Sequence, residues 1–297
     1  MKRVYRYSAK ILFYLILAIS LICILIPIIL TITNSFMSPF EVFRRYTQDY
    51  IPENSFGAIR DITDIHYVEV TFIPDFVTLK QYFNLLFKNP LYMNLFWNSV
   101  KIAIPSVVGQ IIIAAPAAYA FEYSKMKYKE LIFLAYIVIM LMPMQVLLVP
   151  NYFVASFLSI ENSYLAIILP AIFSPFGVFL IRQYLKGLPY EYIEAAKIDG
   201  ASQIKIIFYV VSPLIKPAVS ALCILLFIEY WNLVDQAVVF IDKSYNEPLS
   251  VYLSKLINQD FELVFAASCF YMILILLIFL YGQKYLVEGI QQQSGLK

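Results

Sequence analysis

Long stretches without Asp, Glu, Lys or Arg recur along the chain, and they set its architecture. Residues 11–40, 102–121, 131–160, 162–181 and 263–283 carry none of the four, and 206–228 carries only Lys216. A charged side chain at the centre of a bilayer costs at least about 2.5–3.5 kcal/mol, so such gaps are where a helix can cross. With roughly 20 residues needed per crossing, spans are predicted near 11–32, 100–121, 131–150, 163–182, 211–232 and 264–284. The long 131–160 window reads as one span plus an apolar extracytoplasmic loop over 151–160. Between the first two spans lies a more polar segment, about 37–95. There Ile73-Pro74-Asp75 followed by Thr78-Leu79-Lys80-Gln81-Tyr82 predicts a short amphipathic helix ahead of span two. The fold expected is all-α and polytopic, with six transmembrane helices.

Composition agrees: 61% of the 297 residues are hydrophobic and 14% charged, against about 45–50% and about 25% in soluble domains. Mean hydropathy is +0.75. A net charge of +2 lacks the clustered basic excess that nucleic-acid binding requires. The single His66 and the three scattered cysteines, Cys23, Cys223 and Cys269, suggest no metal cluster. Thirteen of the 22 Lys and Arg fall on the side of the N-terminus, the 122–130 turn, the 182–205 segment and the tail; seven fall on the other side with most of the acids. The positive-inside rule then places both termini in the cytoplasm. The N-terminal run has Pro27 amid bulky Ile and Leu and no small-residue cleavage site, so it reads as a retained span. Prolines at 105, 116, 143, 170, 175, 213 and 217 are expected to interrupt the spans.

The informative cytoplasmic stretch is Gly187-Leu188-Pro189-Tyr190-Glu191-Tyr192-Ile193-Glu194-Ala195-Ala196-Lys197-Ile198-Asp199-Gly200-Ala201-Ser202. Pro189 suits a first helical turn, Glu191 and Glu194 complement the positive end of the macrodipole, and Gly200 is placed to end the helix. A helix of about ten residues, about 15 Å long, is predicted over 189–200. Ala195 and Ala196 leave a low face beside Glu194. Such a helix either rests on the membrane surface or fits a partner's groove, presenting a carboxylate to a basic residue there.

Glu194-Ala195-Ala196, three residues, Gly200, then Val210 and Pro213 resembles the EAA motif of permease subunits in binding-protein-dependent ABC importers. The family's usual Ile-x-Leu-Pro ending is replaced here by Val210-Val211-Ser212-Pro213. Other stretches are similar to the maltose-type carbohydrate branch: Asn98-Ser99-Val100, Ala117-Ala118-Tyr119-Ala120, Ile198-Asp199-Gly200-Ala201, Trp231-Asn232, and the tail from Gln283 to Gly289 with Gly295-Leu296-Lys297. The likeness covers about 72–297 and the first span, and leaves 41–70 unmatched. It implies a type I ABC importer permease fold in a bacterial cytoplasmic membrane. Its divisions would be a cytoplasmic N-terminus (1–10), a first helix (11–32), an extracytoplasmic segment (33–92), a transmembrane domain (93–285) and a tail (286–297). It also implies a sister permease, two ATPase subunits holding ATP and Mg, and an extracytoplasmic solute-binding protein. Glu191, Glu194, Ala195, Ala196, Asp199 and Gly200 would couple to the ATPases. No Gly-x-x-x-x-Gly-Lys-Ser/Thr occurs, so the chain has no phosphate-cradling loop of that type and is expected to be a transport subunit, without cofactor and not an enzyme.

Polar groups inside spans are candidates for the substrate pathway, because unpaired ones are costly in lipid: Asn98, Gln145, Glu229, Trp231 and Asn232. Glu229 is also read as a partner for a base of the sister permease, and Trp231 as an anchor at the membrane interface. Two further functions stay open: a permease for a non-sugar solute, and an ion-coupled secondary carrier, although internal repeats and mid-membrane ionisable groups expected of the latter are missing.

Overall fold

A computed structural model describes residues 2–46, 71–259 and 261–293. His66, most of the 41–70 stretch and Gly295-Leu296-Lys297 lie outside the described residues. Within them the chain is helical, with one isolated antiparallel bridge between Met37 and Val77. It divides into two compact units, Met1–Tyr92 with Leu253–Ile273, and Met93–Tyr252 with Leu274–Lys297.

In the first unit, α1 (Lys2–Asn34) carries Pro27 without breaking. The apolar window of its span Lys10–Asn34 is 0% buried within the chain, so its Ile and Leu surface is left to lipid or to another chain. α2 (Pro39–Tyr46) folds back on the end of α1, where Asn34 Nδ2 donates to the Tyr46 hydroxyl at 2.6 Å. Glu41 accepts from the Asp75 backbone N–H at 2.9 Å, and Arg45 donates to Asp75 at 2.6 Å and to Thr71 at 2.9 Å. These bonds hold the irregular 71–79 segment on α2. The predicted amphipathic helix is α3 (Lys80–Phe83), continued by a π-helical turn, Asn84–Lys88. Its buried Gln81 donates to the Met37 carbonyl at 2.5 Å. Distant sequence completes this unit: the Tyr92 hydroxyl donates to the Ala267 carbonyl at 3.0 Å, and Tyr46 packs on Phe265 with ring centroids 5.2 Å apart.

The second unit contains most of α4 (Pro90–Tyr123), then α5 (Lys129–Met140), α6 (Met144–Phe157), α7 (Leu165–Ile172), α8 (Pro175–Lys186), α9 (Glu191–Ile198), α10 (Gln203–Leu214), α11 (Lys216–Trp231), α12 (Asp235–Phe240), the start of α13 (Leu249–Gln259) and the latter part of α14 (Val264–Gln293). Its core gathers Ile102, Ala155, Ile167, Ala237, Phe240 and Val251. α14 approaches α11 closely at Gly282, where a Cβ would lie 2.0 Å from Ile224 Cδ1.

Among the described residues four helices are long and apolar enough to cross: Lys10–Asn34, Pro90–Tyr123, Leu165–Lys186 and Val264–Tyr285. Six result only if each of two bent pairs counts as one span, α5 with α6 (99°) and α10 with α11 (74°). The expected 131–150 span is therefore interrupted. Pro143 has no N–H and disfavours a helical residue before it, so it stands in extended conformation ahead of α6. The expected loop over 151–160 is also corrected, since α6 runs to Phe157. Pro217 likewise falls in the first turn of α11, beside the second bend. Pro105 and Pro116, expected to interrupt, lie inside an unbroken α4.

Candidate functional site

α9 begins two residues after Pro189, which precedes the helix instead of entering its first turn. The Tyr190 carbonyl accepts the first helical bonds, from the Ile193 and Glu194 N–H groups at 2.9 and 3.1 Å. Glu191 and Glu194 stand in the first turn, where the dipole favours them. At the other end the Gly200 N–H donates to Lys197 O at 3.1 Å and the Ala201 N–H to Ala196 O at 3.0 Å. This paired closure requires a left-handed residue, and Gly200 has φ +77°. A Cβ there would meet nothing within 4 Å, so conformation and not space calls for glycine.

One side chain roots α9. Ile193 is buried, and the helix packs on the π-helical turn Ile206–Val211 of α10. Glu191, Glu194, Ala195, Asp199 and Gly200 are exposed and Ala196 is half-buried. Ile198, not among the residues expected to couple, stands 86% exposed on the same helix. Lys197 Nζ donates to the Tyr190 hydroxyl at 3.0 Å, and that bond holds its ammonium above the usual lysine range.

The pathway candidates separate into two groups. Asn98 is buried, and its Nδ2 donates to the Tyr245 and Glu247 carbonyls at 2.8 and 3.2 Å, tying the head of α4 to the loop after α12. Trp231 is fully buried, stacked on Phe227 at 5.3 Å and edge-on to Phe96 at 5.5 Å. It is therefore a core residue and not an anchor at the membrane interface. Gln145, Glu229 and Asn232 are exposed. Gln145 donates to Asp235 at 3.3 Å, three residues beyond Asn232, whose own Nδ2 donates to the Ile228 carbonyl at 2.8 Å.

Arg182 and Gln110 are among the buried polar residues not picked out from sequence. Arg182, counted there only as a cytoplasmic base, is 1% exposed. Its Nε pairs with Glu122 at 3.1 Å, one terminal nitrogen with Glu130 at 2.6 Å, and its guanidinium lies 3.9 Å over the Phe133 ring. Gln110 is fully buried where α7 gives way to α8. Its amide nitrogen donates to Ala171 O and its oxygen accepts from the Gly177 N–H, both at 3.2 Å, bridging backbone groups on either side of the break. A lone Gln in a charge-free window was the available signal.

Residues 110–291 match the family described as binding-protein-dependent transport system inner membrane component. Similar proteins include the arabinooligosaccharides transport system permease protein AraQ of Halalkalibacterium halodurans, 30% identical over 226 residues, 75% of this chain and 81% of the relative. The osmoprotective compounds uptake permease protein GgtD of Synechocystis sp. is 34% identical over 201 residues, 66% of this chain and 67% of the relative. The backbone resembles a chain of a bacterial ABC transporter involved in import of the acidic polysaccharide alginate. The TM-score is 0.75 at 22% identity, covering 94% of this chain and 96% of that one, a likeness of fold.

Proposed function

We propose that this chain, which belongs to the family of inner membrane components of binding-protein-dependent transport systems, is the permease subunit through which an ATP-driven importer passes a sugar or oligosaccharide. It lines the pathway together with a sister permease and receives solute from an extracytoplasmic binding protein. Two ATPase subunits, which hold the ATP and Mg, drive it. Both termini and α9 face the cytoplasm, as the distribution of basic residues favours.

The observation that carries the coupling role is the geometry of α9: rooted by Ile193 alone, with Glu191, Glu194, Ala195, Asp199 and Gly200 exposed. Seated in a groove of an ATPase, Glu194 meets a basic residue in a charge-assisted contact, while Ala195 and Ala196 allow close approach and the exposed Ile198 adds an apolar contact. Closure of the ATPases on ATP moves α9, and the bundle alternates between outward- and inward-facing arrangements. Coupling of this kind requires contacts that differ between the two states. Exposed carboxylates in a membrane helix are costly unless they face water or a cation, so Glu229 serves the pathway or a base of the sister permease. Gln145, Asn232 and Asp235 line the polar end of that pathway.

Arabinooligosaccharide and alginate transport among the similar proteins favours a saccharide. A non-sugar solute is the second reading, favoured by the osmoprotectant permease of Synechocystis. Purification from native membranes tests both. The expected result is a second permease and ATPase subunits eluting with this chain, and a receptor that releases an oligosaccharide. A receptor holding a non-sugar supports the second reading, and a preparation without any ATPase overturns the importer assignment.

A further inference from the structure

Direct packing of α9 on Ile206–Val211 makes α10 the obvious route for its movement into the bundle. A second connection exists. Tyr119 and Tyr123 lie four residues apart on α4, hence on one face, with ring centroids 5.2 Å apart. The Tyr123 ring stacks on Tyr190, the residue just before α9, at 5.6 Å and 29°. The Tyr119 hydroxyl donates to Gln203 Oε1 at 2.8 Å, three residues after Gly200. The two tyrosines therefore hold both flanks of α9 and leave its exposed face clear.

The same end of α4 is tied to its neighbours. The Tyr123 hydroxyl donates to the Leu185 carbonyl at 3.3 Å, and Arg182 of α8 joins Glu122 of α4 to Glu130 of α5. A cleft of about 380 Å³ lined by Glu122, Tyr123, Leu185, Lys186, Leu188 and Tyr190 leaves room for the stacked rings to shift. α4 itself is one helix of 34 residues, about 51 Å long, which its two prolines do not break. Rigid helices are able to carry a displacement between distant sites.

We infer that the cytoplasmic end of α4 is a second transmission element, with Tyr123 and Tyr190 as positioning residues that pass the movement of α9 into the span. This rests on the coupling role proposed for α9 and extends it to a helix outside the coupling loop.

The test uses the assembled transporter in nanodiscs, with Cys23, Cys223 and Cys269 replaced by alanine and spin labels at Val108→Cys on α4 and Leu225→Cys on α11, both exposed positions. Mg-ATP with vanadate is expected to change the distance between the labels. Tyr190→Ser and Tyr123→Leu are expected to diminish that change, leaving the part carried through α10, while ATP hydrolysis continues, and Tyr190→Phe and Tyr123→Phe to preserve it in full. A full change persisting in Tyr190→Ser overturns the inference, and this variant also decides if Tyr123→Leu fails to assemble. A transporter with native tyrosines that hydrolyses ATP but shows no change also overturns it. Absence of nucleotide hydrolysis by the assembly instead removes the coupling reading beneath it.

Discussion

α9 and three polar residues of the bundle, Asn98, Gln110 and Arg182, direct their side chains oppositely. On α9 a single isoleucine is buried, while Glu191, Glu194 and Asp199 face outward. In the bundle Asn98, Gln110 and Arg182 are almost wholly buried, each engaged by carbonyls, backbone N–H groups or carboxylates of its own chain. Both groups look alike in sequence, as polar residues at unusual places. The fold absorbs the buried ones, so their loss should register as instability. It leaves the exposed ones for another molecule, so their loss should register as lost transport by a stable protein.

The largest effect is expected from Glu194→Arg. A charge-assisted hydrogen bond contributes about 1.5–3 kcal/mol, and a like charge in its place adds repulsion. Uptake should fall by more than about tenfold, with the chain still present in the membrane and solute still bound by the receptor. Radiolabelled uptake beside an immunoblot measures both, and normal uptake would remove α9 from the mechanism.

Arg182→Ala comes next and lies on the other side of the comparison. Removing the buried guanidinium takes away the link between Glu122, Glu130 and the Phe133 ring and leaves a cavity, so the purified protein should unfold at clearly lower temperature. Unchanged thermal unfolding would show that the Glu122–Arg182–Glu130 cluster is not structural. Asn98→Ala strips a donor from two loop carbonyls and should cost about 1–3 kcal/mol. Uptake per folded molecule should be preserved. A specific loss of uptake with unaltered stability would return Asn98 to the pathway.

The smallest effect belongs to Gly200→Ala. No atom obstructs the new methyl, so the cost is that of a left-handed alanine, about 1 kcal/mol. Gly200→Asn should cost less, because asparagine tolerates that conformation. Thermal unfolding of the two variants gives the ranking, and equal losses would point to a packing role for the glycine.

Those features were legible in sequence whose causes are local. Charge-free windows locate apolar helices because the cost of a buried charge needs no knowledge of the fold. α9 was visible because Glu191, Glu194 and Gly200 act on their own helix ends. What escaped depends on distant partners. Pro143 ends a helix and Pro105 does not, since the outcome turns on whether neighbouring groups satisfy the freed backbone. The 253–273 segment joins the first unit through contacts such as Tyr92 with Ala267, which no local pattern announces. Arg182 read as one more cytoplasmic base because its carboxylates come from residues 52 and 60 positions away. Trp231 read as an interfacial ring because only the packed bundle reveals Phe96 and Phe227 around it.

Photo-cross-linking in native membranes addresses the role of α9 most directly. A photoreactive side chain at position 194 or 199 should capture a nucleotide-hydrolysing subunit, whereas the same group at position 98, buried within the chain, should not. Failure to capture any such subunit from positions 191–199 would contradict the assignment of α9 as the link to the ATPases.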